Sequence, residues 1–447
     1  MTYAEAVARI LALRGGERAG MRPGLERIEA VLDAIGRPER EYVIAQVGGT
    51  NGKGSISSML AAIVQASGRR VGLYTSPHLC HYRERIRVDG RPISEADFVD
   101  GVEALGTLIA RLDLTVFEAG TALALDHFCR AGVEVAVLEV GLGGRLDATT
   151  VGTPRVEVLG PIDYDHQAEL GDTLTLIARE KAAIIRSGVA FSARQDPEAE
   201  TVLRRRAAEV AVPLWMEGRD LQVAPRGFTL EAQRVDLDGP GWRLTDVDCA
   251  LLGLYQPSNA LLAAAAAREL GAGEPAIRAG LRWARWPGRF QILQRDPVVV
   301  LDGAHNPAGA RALAASLRAY FPGEPVTFVL GILADKDARG ILSALAPLAA
   351  RVVLTASTNP RAASPEALRA LLPGAGSPVA RQQVPSLPGL PVPSLSVEIA
   401  PSPRAALARA IAATARGIVC VAGSLSLIGD ILAGAGDGHD LLAWKGA

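Results

Sequence analysis

The chain has 447 residues, 49% of them apolar, enough for two or three domains with separate cores. Its formal net charge of −1 provides no basic field for nucleic acid or an anionic membrane surface. No stretch approaches the roughly eighteen unbroken apolar residues of a membrane span, and the N-terminus reads as a charged helix rather than a signal sequence, so a cytoplasmic protein is expected.

Cys80, Cys129, Cys249 and Cys420 lie far apart with no C-x-x-C pair, which points to free thiols rather than zinc or a redox couple. Of the 47 basic residues only Lys53, Lys181, Lys336 and Lys445 are lysine. Where arginine serves as the general solvated cation, a lysine marks a place for a compact, titratable amine. Lys445, beside the end, is read as incidental.

Ala4 to Leu13 and Leu25 to Ile35 carry helical periodicity on either side of the glycine-rich Gly15 to Gly24. Tyr42 to Val47 is a short apolar run with a glycine stop, the pattern of a buried strand. Ile56, Met59, Leu60, Ile63 and Val64 then recur at helical spacing. Between strand and helix stands Gly49-Thr50-Asn51-Gly52-Lys53-Gly54-Ser55. Glycines let successive N–H groups close on an anion at the positive end of the helix, which makes this a phosphate loop rather than a mere tight turn. Lys53 can reach the outer phosphates and the Ser55 hydroxyl can ligate Mg²⁺. The strict G-x-x-x-x-G-K-[ST] spacing is not met, because Val47 holds the first glycine position and Gly54 is inserted before Ser55.

Residues 71–74 form a second short strand ending at Thr75-Ser76-Pro77-His78, a loop expected near the phosphates because strand ends of a parallel sheet share one crevice. A hairpin is expected around Val88-Asp89-Gly90-Arg91, then a helix capped by Ser94 and running to Leu112, then another from Phe117 to Ala131. Glu134 to Val140 is a strand that delivers Glu139 into Gly141-Leu142-Gly143-Gly144-Arg145. A carboxylate there either holds Mg²⁺ or caps the following turn. After Val156 to Ile162 comes Asp163-Tyr164-Asp165-His166, where His166 is a candidate metal ligand or phosphate contact, or a structural histidine. Asp172 or Thr173 caps the next helix. There Lys181 shares the apolar face of Leu174, Ile177, Ala178, Ile184 and Ile185. It must be paired, deprotonated or chemically modified unless it snorkels.

Residues 189–252 read as a helix followed by short strands with glycine turns, and Tyr255-Gln256-Pro257-Ser258-Asn259 opens an alanine-rich helix to Leu270. The first domain is expected to end at Gly288. Apolar runs at 298–301, 326–330, 351–354 and 417–421 alternate with helical stretches near 308–320, 338–348, 364–372 and 403–415, which predicts a second parallel-sheet domain over 289–447. It has no G-x-G-x-x-G. Its first strand ends in Asp302-Gly303-Ala304-His305-Asn306-Pro307, with Asn306 as N-cap and Pro307 in the first turn, so Asp302 and His305 project from a strand end. The Pro-, Ser- and Gly-rich 373–395 reads as a loop.

Together these stretches resemble the folylpolyglutamate synthase and dihydrofolate synthase branch of the Mur ligase family over nearly the whole chain. The resemblance rests on Gly24 to Ile28, Gly49 to Ser55, Tyr74 to His78, Arg83-Glu84-Arg85-Ile86 and Leu138 to Thr149. It continues through Asp165-His166, Ile177 to Ala182, Trp286-Pro287-Gly288-Arg289, Leu301 to Pro307, Ala334 to Asp337 and Asn359 to Ala362. It implies an α/β fold in which a P-loop parallel-sheet ATPase domain (1–288) is followed by a smaller Rossmann-like parallel-sheet domain. Thr50, Asn51, Gly52, Lys53, Gly54 and Ser55 would cradle ATP, with Asn259, Arg289, Asp302 and His305 as further ATP contacts. Ser55, Glu139 and His166 would hold Mg²⁺. Lys181 would be carried as a carbamate, and Ser76, Pro77, His78 and Arg83 would bind substrate. Lys53, Lys181 and His166 are thus the expected catalytic groups.

Gln46, Gly160-Pro161, Ala183 and Ser426 depart from the family pattern, and Gly160-Pro161 is expected to shift the His166 loop. The implied chemistry is ATP-dependent amide formation: dihydropteroate or a reduced folate is converted to an acyl phosphate and then captured by L-glutamate. A monomer is expected. The alternatives are a folylpolyglutamate synthase alone, a ligase for cell-wall nucleotide precursors, and a P-loop phosphotransferase or nucleotide-gated binding protein. Asp302 and His305 facing the phosphates from a second sheet argue against the last pair.

Overall fold

The computed structural model describes residues 1–13, 24–372 and 395–433. All of the glycine-rich Gly15 to Gly24 stretch but Gly24 itself, nearly all of the 373–395 loop and Lys445 therefore lie outside the described residues. In chain order, α1 (Tyr3–Leu11) and α2 (Glu26–Ala34) precede β1 (Val43–Gly48), α3 (Lys53–Ala66) and β2 (Val71–Tyr74). The hairpin β3 (Ile86–Val88) and β4 (Arg91–Pro92), the helices α4 (Glu95–Arg111) and α5 (Val116–Arg130), and the strands β5 (Val135–Glu139) and β6 (Val156–Leu159) follow. Then come α6 (Gln167–Leu170), α7 (Leu174–Ala182), β7 (Val189–Ser192), α8 (Pro197–Glu209) and β8 (Leu214–Met216).

These strands form one sheet in the order β4-β3-β2-β5-β1-β6-β7-β8, parallel except for the hairpin edge. Because β1 lies between β5 and β6, the loops leaving these three strands open into one crevice. The expected strand β1 and helix α3 flank the phosphate loop. Ser94 caps α4, and Thr173 rather than Asp172 caps α7.

An antiparallel meander follows, β9 (Gln222–Phe228), β10 (Gln233–Gly239) and β11 (Trp242–Cys249), before α9 (Gln256–Glu269) and α10 (Glu274–Trp283) return to the first sheet. Residues 189–252 thus begin with a strand, not a helix. The apolar stripe of α3 implies one buried face, yet Gly54 to Val64 are buried on every side, because α9 and α10, themselves backed by the meander, cover what a two-layer domain would leave in water. The alanines of α9 permit that close approach. On the opposite face α1, α2, α4 and α5 build a second core around Tyr74, Phe98 and Phe128, each side chain contributing roughly 1.5–3 kcal/mol on burial.

The third sheet comprises β12 (Gln291–Arg295), β13 (Val298–Leu301), β14 (Val326–Leu330), β15 (Ala349–Leu354), β16 (Ser396–Ile399) and β17 (Ile418–Ala422). Its order is β12-β13-β17-β14-β15-β16, parallel except for β12. The helices are α11 (Pro307–Tyr320), α12 (Ala338–Leu345), α13 (Pro365–Leu371), α14 (Pro403–Ala413) and α15 (Leu425–Leu432). Asn306 caps α11 with its Oδ1 on Gly309 N at 2.8 Å. Among the described residues no helix is long and apolar enough to cross a membrane.

Candidate active site

The phosphate loop leaves the carboxyl end of β1 in backbone contact with the loop after β6. A Cβ on Gly160 would lie 2.5 Å from Asn51 O, and one on Gly49 2.9 Å from Gly160 N, so only glycine fits on either side. Thr50 N and Asn51 N donate to Pro161 O at 2.9 and 3.3 Å. The Thr50 hydroxyl donates to Asp163 O at 3.0 Å and accepts from Asp163 N at 3.1 Å. Gly160-Pro161 therefore fastens the Asp163 to His166 loop to the phosphate loop. Thr50 and Asn51 face this neighbour with their N–H groups. The first turn of α3 carries no capping side chain at Gly52, which leaves its orphan N–H groups for an anion.

Lys53 Nζ donates to Gly49 O and Thr50 O, each at 3.2 Å; burial lowers its pKa, and Glu139 and Asp165 act in the opposite direction. The inserted Gly54 has a steric cause: a Cβ there would lie 2.6 Å from the Trp286 indole nitrogen. Ser55 Oγ accepts from Gln256 Nε2 at 3.2 Å, and Gln256 Oε1 accepts from Asn259 Nδ2 at 2.9 Å. The start of α9 thereby docks on the loop and places Asn259 beside Gly52.

Glu139, the last residue of β5, is buried and accepts from Ser76 N at 3.1 Å. Burial pushes its pKa up to about 7 against the attraction of Lys53. Lys181 is buried as well, so it does not snorkel; its Nζ donates to Gly49 O at 3.0 Å. Burial first, then Lys53, pushes its pKa down to about 7. His166 stands at the start of α6 with its Nε2 3.3 Å from Lys336 Nζ. Burial and Lys336 push its pKa down to about 4, so the imidazole is neutral.

Among the described residues no three His, Cys, Asp or Glu side chains converge as a metal cage. The expected set of Ser55, Glu139 and His166 asks less. Mg²⁺ takes one or two protein oxygens and completes its octahedron with phosphate and water. A buried carboxylate beside the phosphate loop and a hydroxyl on its helix suit that ion.

The third sheet reaches the same place. Lys336 Nζ lies 2.6 Å from Asp165 Oδ1, and Asn306 Nδ2 donates to Asp165 Oδ2 and to Asn51 Oδ1, both at 3.0 Å. His305 Nδ1 is 2.7 Å from Gly303 O, and its Nε2 faces Asp165 at 3.9 Å. Asp302 accepts from Tyr255 Oη at 2.6 Å, Phe290 N at 2.9 Å and Ala304 N at 2.8 Å, so its carboxylate shapes the turn between the two halves. Lys336 escaped the set of expected site residues, although the scarcity of lysine had marked it.

Beside Gly54 an open cleft of about 430 Å³ is lined by Ser76, Pro77, His78, Arg87, Glu139, Trp286 and Arg289, among others. Arg83 does not line it; the Arg83 backbone N–H donates to Tyr3 Oη at 3.3 Å. Two arginines do line it: Arg289, expected as an ATP contact, and Arg87, which was not among the expected substrate residues.

Residues 47–267 match the Mur ligase middle domain and residues 288–425 the Mur ligase glutamate ligase domain. The dihydrofolate synthase/folylpolyglutamate synthase of Mycobacterium tuberculosis is 39% identical over 373 residues, 77% of this chain and 77% of that protein. The folylpolyglutamate synthase of Lacticaseibacillus casei is 36% identical over 386 residues, 82% of this chain and 88% of that protein. A structure of Mycobacterium tuberculosis folylpolyglutamate synthase complexed with ADP and AMPPCP aligns with a TM-score of 0.85 at 34% identity, covering 96% of this chain and 98% of that one. With both domain types in sequence and relatives matched over most of their length, the chain belongs to the folylpolyglutamate synthase/dihydrofolate synthase branch of the Mur ligase family and is an ATP-dependent ligase.

Proposed function

We propose that this ligase joins L-glutamate to dihydropteroate and to reduced folates through an acyl phosphate. The observation that carries the reading is the convergence of Lys53, Lys181, Glu139 and the uncapped start of α3 at one end of the cleft, with Lys336, His305 and Asn306 brought over them from the third sheet. Lys53 and the first-turn N–H groups hold the terminal phosphate of ATP and the charge that builds on it. Asn259 and Arg289 complete the nucleotide contacts. The acceptor carboxylate, aligned in the cleft beside Ser76, Pro77 and His78, attacks the γ-phosphorus and ADP departs. The amine of L-glutamate then adds to the acyl carbon, phosphate leaves and the ammonium proton is released. No protein nucleophile is needed; the protein supplies alignment and charge.

Ser55, Glu139 and neutral His166 are the residues that would hold Mg²⁺, which neutralises phosphate charge when bound. Lys181 would work as its carbamate: the neutral amine adds to CO₂, forming an N–C bond and losing a proton. A pKa near 7 on a buried amine favours that reaction, since the free base is well populated at neutral pH. On this reading the protein is a cytoplasmic monomer with its domain boundary at 288/289.

The test is ATP-dependent incorporation of labelled L-glutamate, run separately with dihydropteroate and with tetrahydrofolate. Incorporation into both is expected. Incorporation into tetrahydrofolate alone would reduce the activity to that named for the Lacticaseibacillus casei relative, and incorporation into neither would refute the reading.

A further inference from the structure

Arg87 is only 3% exposed, yet it is neither ion-paired nor saturated. It lies on β3 opposite Leu73 and Pro92, and its Nε donates to Glu84 O at 3.0 Å. Among the described residues that is its one hydrogen bond, which leaves both terminal nitrogens with all four N–H groups unclaimed by protein. Glu84 makes no ion pair with them; its carboxylate is turned to the backbone, accepting from Leu79 N at 2.9 Å, Cys80 N at 3.1 Å and His81 N at 2.8 Å. The guanidinium carbon sits 5.6 Å from the centroid of the Trp286 ring, whose face orients it. Burial pushes its pKa down to about 10, so it remains a cation at neutral pH.

An unpaired buried cation is costly unless a partner arrives from outside the protein. Arg87 and Arg289 both line the 430 Å³ cleft, together with Trp286. The planar guanidinium edge matches a carboxylate in bidentate fashion. A carboxylate about to attack phosphorus must keep its lone pairs free, so a fixed clamp suits one that does not react.

We infer that Arg87 is the carboxylate-recognition residue of this cleft, holding through its free guanidinium edge a carboxylate of a glutamyl group that takes no part in bond making. This rests on the ligase reading given above. The carboxylate belongs either to the incoming L-glutamate or to the glutamyl tail of a reduced folate acceptor, a tail that dihydropteroate lacks.

The experiment compares the full-length wild type with R87M and R87K for KM of L-glutamate, tetrahydrofolate, dihydropteroate and MgATP, and for Tm. A clamp on incoming L-glutamate raises its KM roughly 10- to 100-fold with either acceptor, while a clamp on the acceptor tail raises only the tetrahydrofolate KM by that factor. In both cases R87K recovers little of the loss, because an ammonium lacks the fork, the MgATP KM stays within about twofold, and Tm of R87M is unchanged or higher. Unchanged KM values, or a fall in kcat that simply follows a lowered Tm in both variants, would overturn the inference. If the wild type forms no product, calorimetric binding of L-glutamate and of tetrahydrofolate separates the two failures. Binding lost in R87M keeps the recognition role without the ligase reaction, and equal or absent binding in both proteins removes it.

Discussion

Replacing Lys336 by Met would cut the ion pair that joins the third sheet to the Asp165 loop. The Lys336 and Asp165 side chains are each 9% exposed and lie 2.6 Å apart, so the variant leaves a nearly buried carboxylate without its main cation. Burial alone would raise the Asp165 pKa; Lys336, then His166 and His305, hold it well below the usual carboxylate range. Removing one partner of a fully buried pair costs about 3–5 kcal/mol. Asn306 still donates to Asp165 at 3.0 Å, and the pair lies at a cleft edge, so ~2–3 kcal/mol is the appropriate range. If this contact holds the two halves together for catalysis, kcat/KM for glutamate incorporation falls about 30- to 150-fold. D165N, K336M and the double variant form a cycle, with Tm measured for each. The expected result is a double variant little worse than either single one. Additive losses, or a K336M enzyme within about twofold of wild type, would refute the latch.

Three further outcomes follow from single residues. G160A places a Cβ within 2.5 Å of Asn51 O and displaces the phosphate loop, so the KM for MgATP should rise at least about tenfold with little loss of Tm; an unchanged KM would contradict the contact. Burial raises the Glu157 pKa from 4.5 to about 7, so the native state binds more protons than the unfolded state across that interval, and stability falls as pH rises through it. E157Q should then be more stable than wild type above about pH 7, by at most ~3 kcal/mol, with the gain vanishing toward pH 4.5; a gain that does not depend on pH would argue otherwise. For Lys181, bicarbonate should restore activity to CO₂-stripped enzyme and leave K181M inactive, with a loss of about a hundredfold or more; indifference of the stripped wild type to bicarbonate would exclude the carbamate.

Signals that act within a few residues were legible in the sequence. Ser94, Thr173 and Asn306-Pro307 mark helix starts by hydrogen bonds and backbone angles that need no distant partner. The phosphate loop and the buried Lys181 were legible for the same reason. What escaped was set by tertiary context. The strand β7 has only four residues, β12 is half polar at a sheet edge, and neither supplies enough periods to be distinguished from loop. Lys336 and Asp165 are 171 positions apart, so scarcity could flag the lysine without naming its partner. Gly160 departs from the family pattern, and the reason for glycine there, the nearness of Asn51 O, lies more than a hundred positions away. Arg87 directly follows the Arg83-Glu84-Arg85-Ile86 stretch and is overshadowed by it, and only the fold shows that of Arg83, Arg85 and Arg87 it is Arg87 that lines the cleft.

The most direct test of the account uses acceptor labelled with ¹⁸O in its reacting carboxylate, with MgATP and L-glutamate, followed by analysis of the released phosphate. Attack of that carboxylate on the γ-phosphorus predicts that one labelled oxygen appears in inorganic phosphate for each amide formed, with none in ADP. Unlabelled phosphate accompanying labelled amide product would mean that no acyl phosphate forms, and the role assigned to the phosphate loop at the end of the cleft would fall with it.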